Sequence, residues 1–168
     1  MDLHFTSEVA TAAERTTVDA ALRPLQNGLS GSAARAQRHL LLPVLHAVVD
    51  RIGWVSAGAL NYISERLEVA PAEVYGVATF YALLSTVPRP PRAVHVCDDI
   101  ACLGAGSEAL CSLLESAFGP AGSPMHDTAA GWHRSPCLGL CDRAPAALVT
   151  TAGDPPSALA LAPVGGET

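Results

Sequence analysis

The stretches "HVCDDIACLGAGSEAL" (residues 95–110) and "SPCLGLCDRAPAAL" (residues 135–148) decide the reading of this chain. The first carries a C-x4-C pair, Cys97 and Cys102; the second carries a C-x3-C pair, Cys137 and Cys141. In both, the first cysteine ends a β-like run and the second falls in the turn that follows. If the two runs are neighbouring strands of one sheet, both turns leave it at the same edge and four sulfurs can meet. The glycines suit that arrangement: Gly104 and Gly106 follow the first pair and Gly139 lies inside the second. Without a Cβ, such positions let backbone N–H groups approach sulfur closely.

Working outward, "AVHVC" (93–97) reads as a strand. Residues 104–118 read as a helix with Leu110, Leu113, Leu114 and Ala117 inward. "WHRSPC" (132–137), "AALVTT" (146–151) and "ALALA" (158–162) read as short strands, giving a small α/β sandwich. Upstream, "TVPRPPR" (86–92) is a stiff, extended linker that neither a helix nor a central strand can hold, so it marks a boundary. Residues 34–86 carry a helical period in three segments. The first has Leu41, Leu45, Val48, Val49 and Ile52 on one stripe, ends at Gly53, and is kinked or delayed by Pro43. The second has Ser56 as N-cap and Leu60, Ile63 and Leu67 on one face. The third starts at Pro71, with Glu73 in its first turn and Val74, Val77, Tyr81 and Leu84 as its stripe. Short turns between them predict a three-helix bundle. Residues 1–33 read as a flexible arm whose middle, "TTVDAALRPLQ", forms at most a short helix, broken by Asn27-Gly28 and Gly31.

The bulk composition narrows the function classes. The chain has 168 residues and a net charge of −6, and all ten basic residues are arginine. No basic block is present to displace counterions from a nucleic acid. The first residues lack a secretory pattern, and the longest apolar runs fall far short of the ~20 residues a membrane span needs. A cytoplasmic location is expected, where thiols stay reduced and clustered cysteines read first as metal ligands or redox groups.

Three chemistries compete for the cysteines. Zinc sites favour pairs two to four residues apart, but mixed x4 and x3 spacing is atypical for them. Disulfides are disfavoured by compartment. An iron–sulfur centre held by two pairs fits best, and spacing alone leaves 2Fe–2S against 4Fe–4S open. The fifth cysteine, Cys111, sits mid-helix among leucines and reads as a small buried hydrophobe.

"EVYGVATFYALLS" (73–85), followed by the C-x4-C pair and then by "CLGLCDRAP" (137–145), resembles the thioredoxin-like 2Fe–2S subunit family of NADH dehydrogenases. That family includes the small flavoprotein-partner subunit of complex I, the gamma subunit of NAD-dependent formate dehydrogenases and the diaphorase subunit of NAD-linked hydrogenases. The resemblance runs from about residue 38 to about residue 150. It implies a helical bundle over 34–86, then a thioredoxin-like ferredoxin domain over 87–168. It also implies one 2Fe–2S cluster on Cys97, Cys102, Cys137 and Cys141. FMN and NAD(H) are expected on a flavoprotein partner, alongside a larger catalytic subunit, with no nucleic acid and no direct membrane insertion. The chain itself would be a non-catalytic, electron-transfer part of an oxidoreductase. Its tail, "PPSALALAPVGGET", is shorter than the closing helix of many relatives, which favours a soluble formate dehydrogenase or hydrogenase over complex I. A zinc-stabilised adaptor is the rival from another class. A free thiol–disulfide oxidoreductase would want a C-x-x-C pair, which is absent.

Several side chains have readings of their own. Asp98 and Asp99, where relatives carry small or hydroxyl residues, would oppose an added electron and lower the reduction potential; loop caps are the alternative. His95 and His133 are expected at the surface or just behind the cysteines, His39 and His46 on the first helix, and His126 in a loop. Phe80 and Tyr81 are expected in the core, and Tyr75 fits core or surface. Arg134, Arg143 and the "GVATFY" helix are candidates for a partner interface.

Overall fold

The computed structural model describes residues 6–22, 31–123 and 129–165; Asn27-Gly28 and His126 lie outside them. The chain divides into two compact units, Met1–Pro88 and Arg89–Thr168.

The first unit is helical: α1 (Ala12–Leu22), α2 (Ser32–Arg35), a single 3-10 turn (Arg38–Leu40), α3 (Leu41–Ile52), α4 (Ala57–Leu67) and α5 (Pro71–Phe80). Its boundaries follow from local chemistry. Pro43 lies in the first turn of α3, behind the 3-10 turn, where its missing N–H costs no helical bond, so it delays the helix without kinking it. Gly53 ends α3 in the left-handed conformation (φ 98°), and its N–H donates to the Val49 carbonyl at 2.7 Å. The Ser56 hydroxyl caps α4 by accepting the Ala59 N–H at 3.0 Å. Leu41, Val44, Leu45 and Val48 of α3 pack with Leu60, Ile63 and Leu67 of α4 and with Val74 and Ala78 of α5. Each large apolar side chain buried this way contributes about 1.5–3 kcal/mol.

The expected three-helix bundle needs correction. The segment read as a flexible arm contains α1, and Val18 and Leu22 of that helix are buried in the same core. Its start is a reciprocal cap. The Thr11 N–H and hydroxyl donate to Glu14 at 2.7 and 2.9 Å, and the Glu14 N–H donates back to the Thr11 hydroxyl at 3.2 Å. The α5 expectation also fails in part. Phe80 is 80% exposed, and Tyr81 and Tyr75 are exposed as well. This helix is apolar on nearly every side, so periodicity could not say which face turns inward; Val74 and Ala78 do.

The second unit is a four-stranded sheet with helices: β1 (Arg92–Cys97), α6 (Ile100–Gly104), α7 (Ser107–Phe118), β2 (Ala130–Ser135), β3 (Ala147–Thr151) and β4 (Ser157–Leu161). Strand order is β2-β1-β3-β4, with β1 and β2 parallel and the other pairs antiparallel. The parallel pair is joined through α6 and α7, as a crossover requires. Val94, Val96 and Trp132 pack against Cys111, Leu110 and Leu114 of α7. The Trp132 indole N–H donates to the Gly119 carbonyl at 2.8 Å. Leu113 and Ala117, expected inward, are exposed, because the inward line of α7 runs through Ser107 and Cys111. Cys111 is fully buried as expected. β4 is exposed along its whole length.

Glycine matters most at α4. Asn61 donates to the carbonyls of Thr6 and Glu8, both at 2.8 Å, and so lays residues 6–10 across the helix. A Cβ on Gly58 would fall 2.5 Å from the Val9 carbonyl carbon and 2.6 Å from the Ala10 nitrogen. Gly58→Ala should therefore cost about 1–3 kcal/mol in spite of alanine's better helix propensity. Gly76 in α5 meets nothing within 4 Å, so Gly76→Ala should stabilise by about 0.4–1 kcal/mol. Denaturant unfolding of the two variants checks the opposite signs.

Candidate metal centre

Strand pairing brings the two cysteine-bearing loops together. β1 and β2 lie side by side and parallel, with Cys97 opposite Ser135 at their last paired position. The Asp98 N–H continues the ladder to the Ser135 carbonyl at 3.1 Å. Both chains then leave the sheet at one edge. The loops differ from expectation in detail. Cys97 is the last residue of β1, but Cys102 lies within the short helix α6. Cys137 falls two residues beyond β2, and Cys141 opens a 3-10 turn (Cys141–Arg143).

The four thiols associate in two unlike pairs. Cys97 and Cys102 are buried with Ala146, and Leu138, Leu140, Ala144 and Ala162 pack around them. Cys137 and Cys141 are exposed, with sulfurs 3.3 Å apart. Gly139 adopts φ +78°, which aims its N–H at the Cys137 sulfur, 3.4 Å away. Burial first, then the Cys97 thiol and the charges of Cys97 and Cys137, push the Cys102 thiol up, outweighing the Ala146 N–H that favours thiolate there. Cys141 is pushed up by the Cys137 thiol first, and also by charge on Cys102 and Cys97. One thiol of each pair thus resists ionising beside the others, and metal cations would remove that resistance.

This donor set fits an iron–sulfur centre. The two thiol pairs sit on neighbouring loops, apolar side chains shield one of them, and the Gly139 amide points at the Cys137 sulfur. Among the described residues, no three His, Cys, Asp or Glu side chains close around one point as a single ion would need.

The flanking charged residues are tied down. Asp99 caps α6 by accepting the Ile100 N–H at 2.8 Å, and its other oxygen accepts the Cys137 N–H at 3.3 Å. Asp98 pairs with Arg134 at 3.5 Å, and Arg134 makes a two-pronged contact with Glu108 at 2.7 and 2.8 Å. Arg134 holds the Glu108 carboxyl below its usual range, and Glu108 in turn keeps the guanidinium protonated. Arg134 therefore braces β2, α7 and the first loop, a role its sequence position did not announce. Arg143 is exposed, 3.7 Å from Asp142.

The histidines need one correction. His95 is 2% exposed, where a surface position was open, and it stacks on its cross-strand partner His133 with ring centroids 5.5 Å apart. Burial, then His133 and Arg89, lower its pKa to about 4, so it is neutral at physiological pH. His39 is exposed on the 3-10 turn ahead of α3, with Nδ1 3.3 Å from the Ala36 carbonyl.

Comparison with known proteins agrees with this geometry. The thioredoxin-like 2Fe–2S ferredoxin family pattern matches residues 29–153. A component of the NADH-quinone oxidoreductase of Rhizobium meliloti (strain 1021) is 32% identical over 124 residues, covering 72% of this chain and 74% of that protein. Its counterpart in the NADH-quinone oxidoreductase of Pseudomonas aeruginosa is 33% identical over 109 residues, covering 64% of this chain and 66% of its own length. Among solved structures, an NAD+-reducing NiFe hydrogenase in the air-oxidised state superposes with a TM-score of 0.52 at 31% identity. That match covers 66% of this chain and 19% of the hydrogenase chain. The chain belongs to the thioredoxin-like 2Fe–2S ferredoxin family, and its cofactor is one 2Fe–2S cluster.

Proposed function

We propose that this chain is the electron-carrying subunit of a multi-subunit, NAD(H)-linked oxidoreductase, and that Cys97, Cys102, Cys137 and Cys141 hold its cluster. The observation that carries the reading is that the loops bearing the two cysteine pairs leave the parallel β1–β2 pair at one edge and touch through Asp99 and the Cys137 amide. When bound, the cluster supplies a store for one electron at a time. The protein does the rest. Cys97 and Cys102, with Leu138, Leu140 and Ala162, keep water from one side. Cys137 and Cys141 stand exposed on the other, near enough to a surface for electron exchange.

FMN and NAD(H) belong, in this reading, to a flavoprotein partner. Exposed apolar side chains on α6, Ile100 (85% exposed) and Leu103, rim the cysteine loop and suit contact with it. Phe80, Tyr75 and Tyr81 on the helical unit are a second candidate contact, as the "GVATFY" segment suggests. Arg134 is a weaker candidate than its sequence implied, because Glu108 and Asp98 already engage it.

The host complex we favour is a soluble NAD-linked hydrogenase or formate dehydrogenase, for which the likeness to the NAD+-reducing hydrogenase is support. The alternative host is a respiratory NADH-quinone oxidoreductase, favoured by the names of the relatives above. Among the described residues no helix is long and apolar enough to cross a membrane. Affinity purification of the native complex discriminates these hosts: nickel in a partner indicates a hydrogenase, molybdenum formate oxidation, and membrane subunits respiration.

Ligand assignment is checked by replacement. Cys97→Ser, Cys102→Ser, Cys137→Ser and Cys141→Ser should each lose most bound iron or alter its low-temperature EPR signal after reduction. Cys111→Ala should keep both, with only a stability cost of the kind a small buried cavity brings. Loading should also depend on pH with a definite sign. Raised thiol pKa values at Cys102 and Cys141 mean that protons are held in the metal-free protein and must leave when metal binds. Reconstitution from ferrous iron and sulfide should therefore improve as pH rises from neutral into the alkaline range; a yield that falls over that range contradicts this account.

A further inference from the structure

The two aspartates between Cys97 and Cys102 are neighbours in sequence but differ in what they touch. The Asp98 carboxylate faces a cation: Arg134 lies 3.5 Å away and is itself locked onto Glu108 by two bonds. Asp99 has no basic partner among the described residues. Its two oxygens go to backbone amides of two different loops. Oδ1 accepts the Ile100 N–H at 2.8 Å and so starts α6, the helix that carries Cys102. Oδ2 accepts the N–H of Cys137, thirty-eight positions along the chain, at 3.3 Å. A single carboxylate thus spans from the helix of one cysteine pair to the backbone of the other.

We propose that Asp99 is the positioning residue of the metal centre: it fixes the spacing between the two cysteine loops and holds the reduction potential of the bound cluster down. This rests on the four-cysteine reading given above. The physical reasons act in the same direction. The carboxylate occupies the Cys137 amide, which is then unavailable to donate to sulfur, and such donors favour the reduced centre. It also places an uncompensated negative charge beside a group of four thiolates, whereas the charge of Asp98 is offset by Arg134. At 3.3 Å and at the surface, the link is a long, weak hydrogen bond to a charged acceptor, which joins the two loops without burying the charge.

The test separates this role from simple helix capping. Asparagine caps a helix as well as aspartate does, so Asp99→Asn retains the bond to Ile100. Its amide nitrogen cannot accept the Cys137 N–H, and its charge is gone. In the full-length chain reconstituted with iron and sulfide, Asp99→Asn should load as the parent does and show a higher midpoint potential. The ratio of reduced to oxidised protein at a fixed poise should rise about fivefold, the equivalent of one hydrogen bond. Asp98→Asn should shift it less. A potential unchanged in Asp99→Asn, or moved at least as far by Asp98→Asn, overturns the proposal. A second measurement needs no cluster. In the metal-free full-length chain, hydrogen exchange at the Cys137 amide should quicken about fivefold in Asp99→Asn, with the Ile100 amide unaffected. Equal exchange at Cys137 in parent and variant overturns the strut even if the potential moves. Failure of the parent chain to bind iron would instead count against the ligand assignment and leave the exchange result to judge Asp99.

Discussion

The parallel pairing of β1 with β2 is the constraint on which the proposed metal centre depends. It sets Cys97 opposite Ser135, and the ladder bond from Asp98 to Ser135 carries the alignment one step past the last strand residues. Side chains alternate across a sheet, so a slip of one residue would turn Cys97 to the opposite face and part the two pairs. Several features protect that register. Val94 and Val96 are packed with Trp132 beneath α7, and His95 is stacked on His133 across the same two strands. Arg134 then clamps the end of β2 to α7 and to the first loop.

The asymmetry of the site follows from where each loop goes. The first loop winds at once into α6, and its two sulfurs turn under the apolar side chains around Ala146. The second loop bends at Gly139 in a left-handed conformation and stays at the surface. One side of the centre is thereby dry and the other open. A protein that passes single electrons to a partner needs both properties: shielding that sets the potential, and an approach for the partner. In the proposed division of labour, hydride chemistry with NAD(H) would fall to the flavin of a partner subunit.

Much of this was legible in the sequence where chemistry is local. Gly53, Ser56 and Pro71 mark helix ends because their effects act within one turn of the chain, and the structure places those ends there. The cysteine pairs and the strand before each were legible for the same reason. What escaped was long-range or ambiguous. The contact from Asp99 to Cys137 joins positions with no visible spacing rule until the sheet is built. His95 alternates as a surface residue would, yet both neighbouring faces of β1 are covered. Helix α5 is apolar nearly all round, so its exposed Phe80 looks like a core residue. Helix α1 is the exception: its signal, Thr11 followed three residues later by Glu14, stood in the sequence and was obscured by polar surroundings.

Anomalous diffraction from anaerobically grown crystals of the iron-loaded chain, collected at the iron absorption edge, tests the central claim most directly. The account predicts a pair of iron peaks between the two loops, with all four sulfurs of Cys97, Cys102, Cys137 and Cys141 bound to them. A lone peak at the zinc edge, or iron bound away from those sulfurs, would contradict it.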